Sequence, residues 1–362
     1  MEPRAYYKIM FVIDQLCGGG AERVTSVLAT SLSDNERIEV YICVLKENEN
    51  EYDISDKVTI MYKEQNSDSK IIEAISDVVH IRKSINRVKP DIVVSLSTYR
   101  TNILLQMVCI IRRFIIVLSE RNDPERYPGN RIMRWLRNMA YYLCDGVVFQ
   151  TEGAQSEFSD YIKRKSTIIL NPVQVDRHII YAGSREKTIV NCSRLTSQKN
   201  IPLLLTSFKR FSSSHPEYSL HIYGEGELRD ELIEATKRLG IENRVVFHGY
   251  IKNAMSEIRK ASLYVSTSDY EGLSNSVLEA MALGIPTIST DSPPGGARTV
   301  IENGLNGLLV PTNDIEALVR AMEQVIDDTD LAVRLSENAK KITERLSVKR
   351  IATLWMEFFL RL

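Results

Sequence analysis

The chain has 362 residues, 44% hydrophobic and 26% charged, with only 17 Gly and 11 Pro. That length suits two domains with room for a third, and the composition is that of an average soluble globular protein. It excludes a disordered chain, a collagen and a disulfide scaffold. Five Cys (Cys17, Cys43, Cys109, Cys144, Cys192), without a C-x-x-C pair, read as buried thiols of a reducing compartment, and the five His never approach metal-ligand spacing. The net charge of −1 hides an uneven distribution: residues 1–80 carry 8 Lys and Arg against 15 Asp and Glu, whereas residues 81–137 carry 12 against 4. A basic block of that size implies an anionic partner on one face, unless charges merely cluster on a solvated surface.

The first residues lack the basic-then-apolar layout of a signal peptide, and 8–14 reads as a strand. Apolar, β-branched runs predict further strands at 38–45, 58–62, 91–97, 114–118, 146–150 and 167–170, with helical periods between most of them at 21–32, 70–88, 130–143 and 153–161. The most apolar stretch, 102–119, is interrupted by Gln106, Arg112 and Arg113, so its pieces fall short of the roughly 20 residues needed to span a bilayer. Ile103, Leu104, Leu105, Met107, Val108, Ile110 and Ile111 nevertheless run straight into Arg112 and Arg113. Ile132, Trp135, Leu136 and Met139 share a helical period with Arg131, Arg134 and Arg137. Apolar faces edged by Arg suit the interface of an anionic membrane, and two ordinary core helices with solvated rims fit the same pattern.

After Asn171-Pro172 a polar stretch runs to Lys187, and then the alternation restarts. Strands are predicted at 188–193, 220–223, 245–248, 263–267, 286–290 and 307–310, with helices at 201–211, 227–239, 254–260 and 276–283 and then at 314–326, 331–344 and 348–360. Near-continuous apolar strands separated by helices require a parallel sheet covered on both faces. The expected fold is therefore α/β, with two doubly wound Rossmann-like domains at 1–172 and 188–345 joined by a linker at 173–187. A C-terminal helix at 346–362 is expected to pack back on the first domain. Ligands of such sheets bind beyond the carboxyl ends of the strands, so two such domains facing each other would enclose a cleft lined by strand-to-helix loops.

Several of those loops carry chemistry. Gly18-Gly19-Gly20 opens a helix after the first strand, where bare backbone N–H groups and a helix dipole can receive a phosphate, although a tight turn needs the same glycines. The spacing is neither the dinucleotide fingerprint nor a P-loop. Arg194 and Lys199, five residues apart after the first strand of the second domain, could clamp a diphosphate or simply decorate a solvated loop. Between 266 and 281 the chain reads as strand end, loop and helix, with Ser274 or Asn275 as the cap. Glu271 then stays in the loop and Glu279 lies about one turn inside, roughly 10 Å or more away at 1.5 Å per residue. A hydrolase acid/base pair sits closer, about 5–9.5 Å apart. The spacing suits the two ends of a long polar ligand whose phosphates rest on the helix N-terminus between them. Gly224 lies in another Gly-rich loop, Tyr250 and Ile251 follow a strand where exposed backbone could read a base edge, and residues 291–297 end a fifth strand.

The stretch E-G-L-S-N-S-V-L-E-A-M-A-L-G-I-P from Glu271 to Pro286 resembles the E-x7-E signature of retaining glycosyltransferases with the two-domain GT-B fold. S-R-L-T-S-Q-K-N, G-G-A-E-R and Y-G-E-G-E-L match the same group, glycosyltransferase family 4, over essentially the whole chain. S-E-R-N-D-P at 119–124 resembles members that extend lipid-linked oligosaccharides in O-antigen, capsule and N-glycan precursor assembly, with Glu120 or Arg121 standing where the wider family often has a His. The resemblance implies an acceptor-binding first domain and a nucleotide-sugar-binding second one. It implies that Glu271 holds donor-sugar hydroxyls and Glu279 the ribose. Arg194 and Lys199 would neutralise the leaving diphosphate, helped by the N–H groups of Gly19, Gly20, Leu273 and Ser274. Arg121, Gly224, Tyr250 and Ile251 would complete the substrate contacts. Cationic clamps of this kind can replace a metal, and the one D-x-D, Asp328-Thr329-Asp330, links two helices and reads as a cap.

The expected function is a retaining, metal-independent hexosyltransferase without a cofactor. It would move an N-acetylhexosamine or hexose from a UDP-sugar to an undecaprenyl-diphosphate-linked saccharide in surface polysaccharide assembly. It would work in the cytoplasm, peripherally at the anionic inner face of the membrane, with no nucleic-acid partner. A soluble or protein acceptor is the alternative within the same fold, and a catalytically silent sugar-nucleotide-binding subunit is the alternative from another class. A dehydrogenase is disfavoured because neither domain has the dinucleotide fingerprint with its ribose-binding acid.

Overall fold

Apolar β-branched runs become the strands of two parallel sheets in a computed structural model that describes residues 6–49, 51–64, 69–108, 113–176, 179, 181, 183–252 and 254–362. In chain order the first half forms β1 (Tyr7–Ile13), α1 (Gly20–Ser33), β2 (Ile38–Val44), β3 (Thr59–Tyr62), α2 (Lys70–Val88), β4 (Ile92–Ser95) and α3 (Tyr99–Val108). Then follow β5 (Ile115–Glu120), α4 (Arg131–Leu143), β6 (Gly146–Phe149), α5 (Glu152–Ser156), α6 (Asp160–Arg164) and β7 (Ser166–Ile168). The second half forms β8 (Glu186–Cys192), α7 (Ile201–Ser214), β9 (Ser219–Tyr223), α8 (Arg229–Leu239), β10 (Val245–Gly249), α9 (Ala254–Ile258), β11 (Ala261–Ser266) and α10 (Asn275–Ala282). It continues with β12 (Thr287–Thr290), α11 (Gly296–Val300), β13 (Leu308–Val310), α12 (Ile315–Asp327), α13 (Thr329–Ala339), α14 (Ile342–Arg345) and α15 (Val348–Arg361). Two compact units result, Met1–Pro172 with Val348–Leu362, and Val173–Ser347.

The first unit holds a seven-stranded sheet of order β3-β2-β1-β4-β5-β6-β7. Its strands pair in parallel, Phe11 standing between Ile42 and Val94. Right-handed crossovers place α2, α3 and α4 on one face and α1 on the other. On the first face Ile81, Ile85, Leu104, Leu105, Ala140 and Tyr141 meet Met10, Val93, Ile116 and Val147 in one core. On the second face α15 packs beside α1, burying Trp355, Phe358 and Phe359 to 1%, 4% and 0% exposure. Each such side chain contributes about 2 kcal/mol of apolar burial. Gly146 leaves the space they need, because a Cβ there would lie 2.8 Å from the Phe358 ring.

The second unit repeats the plan with order β10-β9-β8-β11-β12-β13. Its core gathers Leu204, Leu205, Phe208 and Phe211 of α7 and Leu318, Met322 and Val325 of α12 against Ile189, Ile222, Leu263 and Val265.

Two predicted helices are broken. The segment 153–161 divides because the Phe158 ring turns into the core, 5.4 Å from Tyr141 and 5.1 Å from Phe149, and Ser159 starts a new turn in extended backbone. The segment 331–344 divides between Ala339 and Ile342. The two Arg-edged apolar helices also part company. Over its described residues α3 is a core helix, with Leu104 at 7% and Leu105 at 0%, and Met107 and Arg100 are its exposed side chains; Cys109, Ile110, Ile111 and Arg112 lie outside the described residues. Arg137 differs from the expectation of a basic rim: it is buried beneath α4, 3% exposed, and cannot flank a membrane. Among the described residues no helix is long and apolar enough to cross a membrane.

Candidate active site

In both sheets the strand order reverses between the first strand and the one that follows the first crossover back, β1/β4 and β8/β11, and ligands favour the carboxyl side of that switch point. In the second unit the two loops there are 193–200 and 267–274, and they are laced together. Asp269 N donates to Gln198 O at 2.9 Å, Thr267 Oγ1 to Lys199 O at 2.9 Å, and Asn200 Nδ2 to Asp269 Oδ1 at 2.7 Å. Lys199 closes a short 3-10 turn, Ser197–Lys199, and Asn200 adopts a left-handed φ of 44° to start α7. This geometry lets Lys199 reach back to Glu271.

Lys199 Nζ donates to Glu271 Oε2, with the two side chains only 12% and 20% exposed. The same oxygen accepts from Ser268 Oγ at 3.3 Å and lies 3.5 Å from Gln198 Nε2, which also donates to Tyr270 O at 2.9 Å. Glu271 is thus a held carboxylate with an ammonium at its side. Its backbone N donates to Pro293 O at 2.8 Å, which straps the loop after β11 to the loop after β12. That contact requires Gly296, since a Cβ there would lie 1.6 Å from Gly272 O. A small pocket opens beside it, lined by Ser268, Glu271, Leu273, Ser274, Ser289 and Ser292.

Ser274 is the N-cap of α10, in extended backbone and without a side-chain capping bond, so the predicted helix start is where the loop ends. Glu279 sits in the second turn, close enough to Cys192 and Tyr264 for its charge to raise both their pKa values, behind burial as the larger cause. Arg194 is exposed on the loop after β8. Gly224, at φ 134°, approaches Ser193 O so closely that a Cβ would be 1.9 Å from it. Gly224 N donates to Gly249 O at 2.8 Å, which joins the loops after β9 and β10. Tyr250, 43% exposed, and Ile251 follow on the edge strand. Three strand spacings separate β10 from β11, or about 14 Å. Lys199, Glu271, Leu273 and Ser274 are therefore brought together, while Tyr250 and Ile251 stand at the far end of the same row of loops. Gln198 and Ser268 carry no charge, so nothing in the sequence alone marks them as partners of Glu271.

In the first unit Gly18 takes φ 73° and Gly19 caps α1 without a side chain. The Glu22 carboxylate packs against Gly19, 1.9 Å from where a Cβ would be, so the N-terminus of α1 already has an anion beside it. Arg121 donates to Asn171 Oδ1, which also accepts from Gln150 Nε2 at 2.5 Å. Burial lowers the Arg121 guanidinium to about 10, so it stays a cation at neutral pH. Glu120 points the other way. Its buried carboxylate accepts from the backbone N of Arg121 and Asn122 at 3.1 and 3.2 Å and from Tyr141 Oη at 3.1 Å, and it pairs with Arg137 at 3.4 Å. Burial still raises its pKa. Of the two residues in the family's His position, Glu120 is consumed by structure. Asp328 of the D-x-D caps α13, accepting from Leu331 N at 2.9 Å.

The family described as Glycosyl transferases group 1 matches residues 175–342, and Glycosyltransferase Family 4 matches residues 18–177. A Campylobacter jejuni protein, GalNAc-alpha-(1->4)-GalNAc-alpha-(1->3)-diNAcBac-PP-undecaprenol alpha-1,4-N-acetyl-D-galactosaminyltransferase, is 30% identical over 358 residues, covering 97% of each chain. Among solved structures, Anabaena HepE with UDP-glucose superposes with a TM-score of 0.82 at 18% identity, over 99% of this chain and 100% of that one. Sucrose-phosphate synthase of Thermosynechococcus elongatus does so with 0.84 at 15%, over 98% of each. These two likenesses establish the fold, and the Campylobacter relative establishes the family. The chain belongs to the group 1, family 4 glycosyltransferases and has their GT-B fold of two doubly wound α/β units.

Proposed function

We propose that this glycosyltransferase moves a hexosyl or N-acetylhexosaminyl group, with retention, from a UDP-sugar to a saccharide carried on a polyprenyl diphosphate at the cytoplasmic face of a membrane. The observation that carries the reading is the Lys199–Glu271 pair held by Ser268 and Gln198 at the switch point of the second sheet. A carboxylate fixed there can accept hydroxyl protons of the donor sugar. An ammonium beside it can meet charge that develops on the departing diphosphate, with Arg194 and the N-terminus of α10 adding to the same field. Because these groups are already in place, positive potential at the leaving group needs no divalent ion. Glu279, inside α10, serves the ribose, and Tyr250 and Ile251 serve the base at the far end of the row. Gly19, Gly20 and Arg121 are the substrate contacts of the first unit.

The lipid-linked acceptor is supported by the activity named for the Campylobacter relative and by the basic block at residues 81–137. Part of that block is neutralised internally, since Arg100 pairs with Asp77 at 2.6 Å and Arg137 with Glu120. The test is to incubate the protein with UDP- and GDP-sugars and extracted lipid-diphosphate saccharides in detergent, and to read product mass and anomeric configuration. Transfer from a UDP-sugar with retention supports the reading. An inverted product, or transfer to soluble acceptors alone, overturns it.

A further inference from the structure

Strands β9 and β10 bring together two histidines that stand 27 residues apart in the sequence. The ladder sets Val246 beside His221 and Phe247 beside Ile222, and then Gly249 beside Tyr223, so His248 is an extra residue in a bulge. A bulge re-aims the side chain it carries. Here the His248 ring lies flat on Tyr223, with centroids 4.3 Å apart and planes 5° apart, and its Nε2 comes within 3.0 Å of His221 Nδ1. On its other side His221 Nε2 is 3.1 Å from Ser219 Oγ. The assignment that satisfies both contacts has His221 Nε2–H donating to Ser219 and its Nδ1 lone pair accepting from His248 Nε2–H. His248 is exposed and His221 half-buried, so solvent reaches the two nitrogens. The surroundings favour a cation. Burial first, then Cys192, Glu257 and Glu186, push the Tyr223 phenol up to about 12.

We propose that His221 and His248 form a site for a nitrogen-seeking divalent transition metal of the Zn²⁺, Ni²⁺ or Cu²⁺ class. With metal–imidazole bonds of about 2.0–2.1 Å, two ligating nitrogens stand about 2.9 Å apart at a right angle and about 3.3 Å apart at a tetrahedral one. The observed 3.0 Å lies inside that interval. The metal therefore enters in place of the shared proton with a small tilt of the rings. His248 passes its Nε2 proton through solvent to Nδ1, both imidazoles ligate in the neutral form, and no proton is gained or lost. Ser219 holds the far nitrogen of His221 and so fixes the ligating tautomer. Imidazole selects zinc, nickel and copper over magnesium and manganese, which prefer oxygen. Among the described residues no group of three His, Cys, Asp or Glu could hold a metal ion, so the protein supplies two nitrogens and water completes the shell. The site stands apart from the transfer chemistry, since β9 and β10 lie two and three positions from β11 in the sheet. Metal there fastens the edge strand just before Gly249, whose carbonyl accepts from Gly224 N.

The untagged full chain, freed of metal by EDTA and dialysis, is titrated by calorimetry with nickel chloride alone, zinc chloride alone and manganese chloride alone. Wild type should take one Ni²⁺ or one Zn²⁺ and no Mn²⁺. His221→Asn and His248→Asn should each bind at least tenfold more weakly, and Ser219→Ala about tenfold. Because imidazole ligates only when neutral, affinity should fall by about tenfold or more between pH 7.5 and 5.5. His215→Asn, and Cys17→Ser at the half-buried thiol of the first unit, should bind like wild type. The paramagnetic resonance spectrum of one equivalent of Cu²⁺ on wild type should carry two imidazole nitrogens, and it decides the matter where a variant fails to fold. Absence of saturable Ni²⁺ binding by wild type, wild-type affinity in either variant of the pair, loss of binding in Cys17→Ser or His215→Asn, or a copper spectrum without two imidazole nitrogens would each overturn the proposal.

Discussion

Substitution of Gly296 by Ala tests whether the loop carrying Glu271 is the reaction centre. The added Cβ would lie 1.6 Å from Gly272 O, 2.5 Å from its carbonyl carbon and 3.1 Å from Leu273 N, whereas ordinary contact begins at 3.4 Å. Every one of these atoms is backbone, so no rotamer change can relieve the clash. The two loops must part by about 2 Å in a region packed at crystal density. Glu271 is bound to the moving segment on both sides, through Pro293 O and through Gly272. Overpacking of this kind costs about 1–3 kcal/mol, or roughly 3–10 °C of melting temperature for a unit of this size. A misplacement of about 1 Å in a reacting group can cost 10²-fold, so kcat/KM should fall by about 10²-fold or more. Gly129→Ala is the control, with nothing within 4 Å of its Cβ. Initial rates with a UDP-sugar, UDP calorimetry and a thermal melt decide the matter. Wild-type turnover in Gly296→Ala, whether or not the melt shifts, would refute the assignment of this loop.

Lys199→Ala should lower turnover by on the order of 10²-fold, while Glu279→Ala should raise the donor KM more than it lowers kcat, because ribose contacts act on ground and transition states alike; the reverse pattern would mean the roles are exchanged. Transfer should survive EDTA, and complete loss restored by manganese would contradict a charge clamp made of protein groups. Burial, and then the charge of His248 at 3.0 Å, lower the pKa of His221. The folded chain therefore holds His221 neutral where the unfolded chain, with an imidazole near 6.5, takes up a proton, and acid favours unfolding. The melting temperature should fall between pH 7.5 and 5.5 more steeply for wild type than for His221→Asn, and equal slopes would remove His221 from the account. Burial pushes the Cys43 thiol up to about 12 and the Cys192 thiol upward as well, so mass spectrometry after iodoacetamide at pH 8 should find both unlabelled until denaturant is added.

The architecture and most of the chemistry are local properties of this chain. Strand runs and helical periods alternate, and parallel strands joined by right-handed helices leave one arrangement per unit, with the loops gathered at one edge. The loop ending at Ser274 and the place of Glu271 before it and Glu279 after it follow from cap chemistry and periodicity alone. What the tertiary structure decided concerns groups whose partner is distant in sequence. Lys199 and Glu271 stand 72 residues apart, and only the adjacency of β8 and β11 makes them a pair and recruits Gln198 and Ser268, which carry no charge to betray them. The segments 102–108 and 131–143 look alike as apolar helices edged by Arg. The sheet chooses between them, burying Leu104 and Leu105 in the core while leaving Ile132 and Trp135 outside. Arg131, Arg134 and Arg137 read as one basic rim. Steps of three residues drift about 60° around a helix, and by Arg137 the drift has carried the guanidinium beneath α4, where Glu120 and two loop carbonyls hold it. Those partners come from another strand and another loop, and no local pattern encodes them.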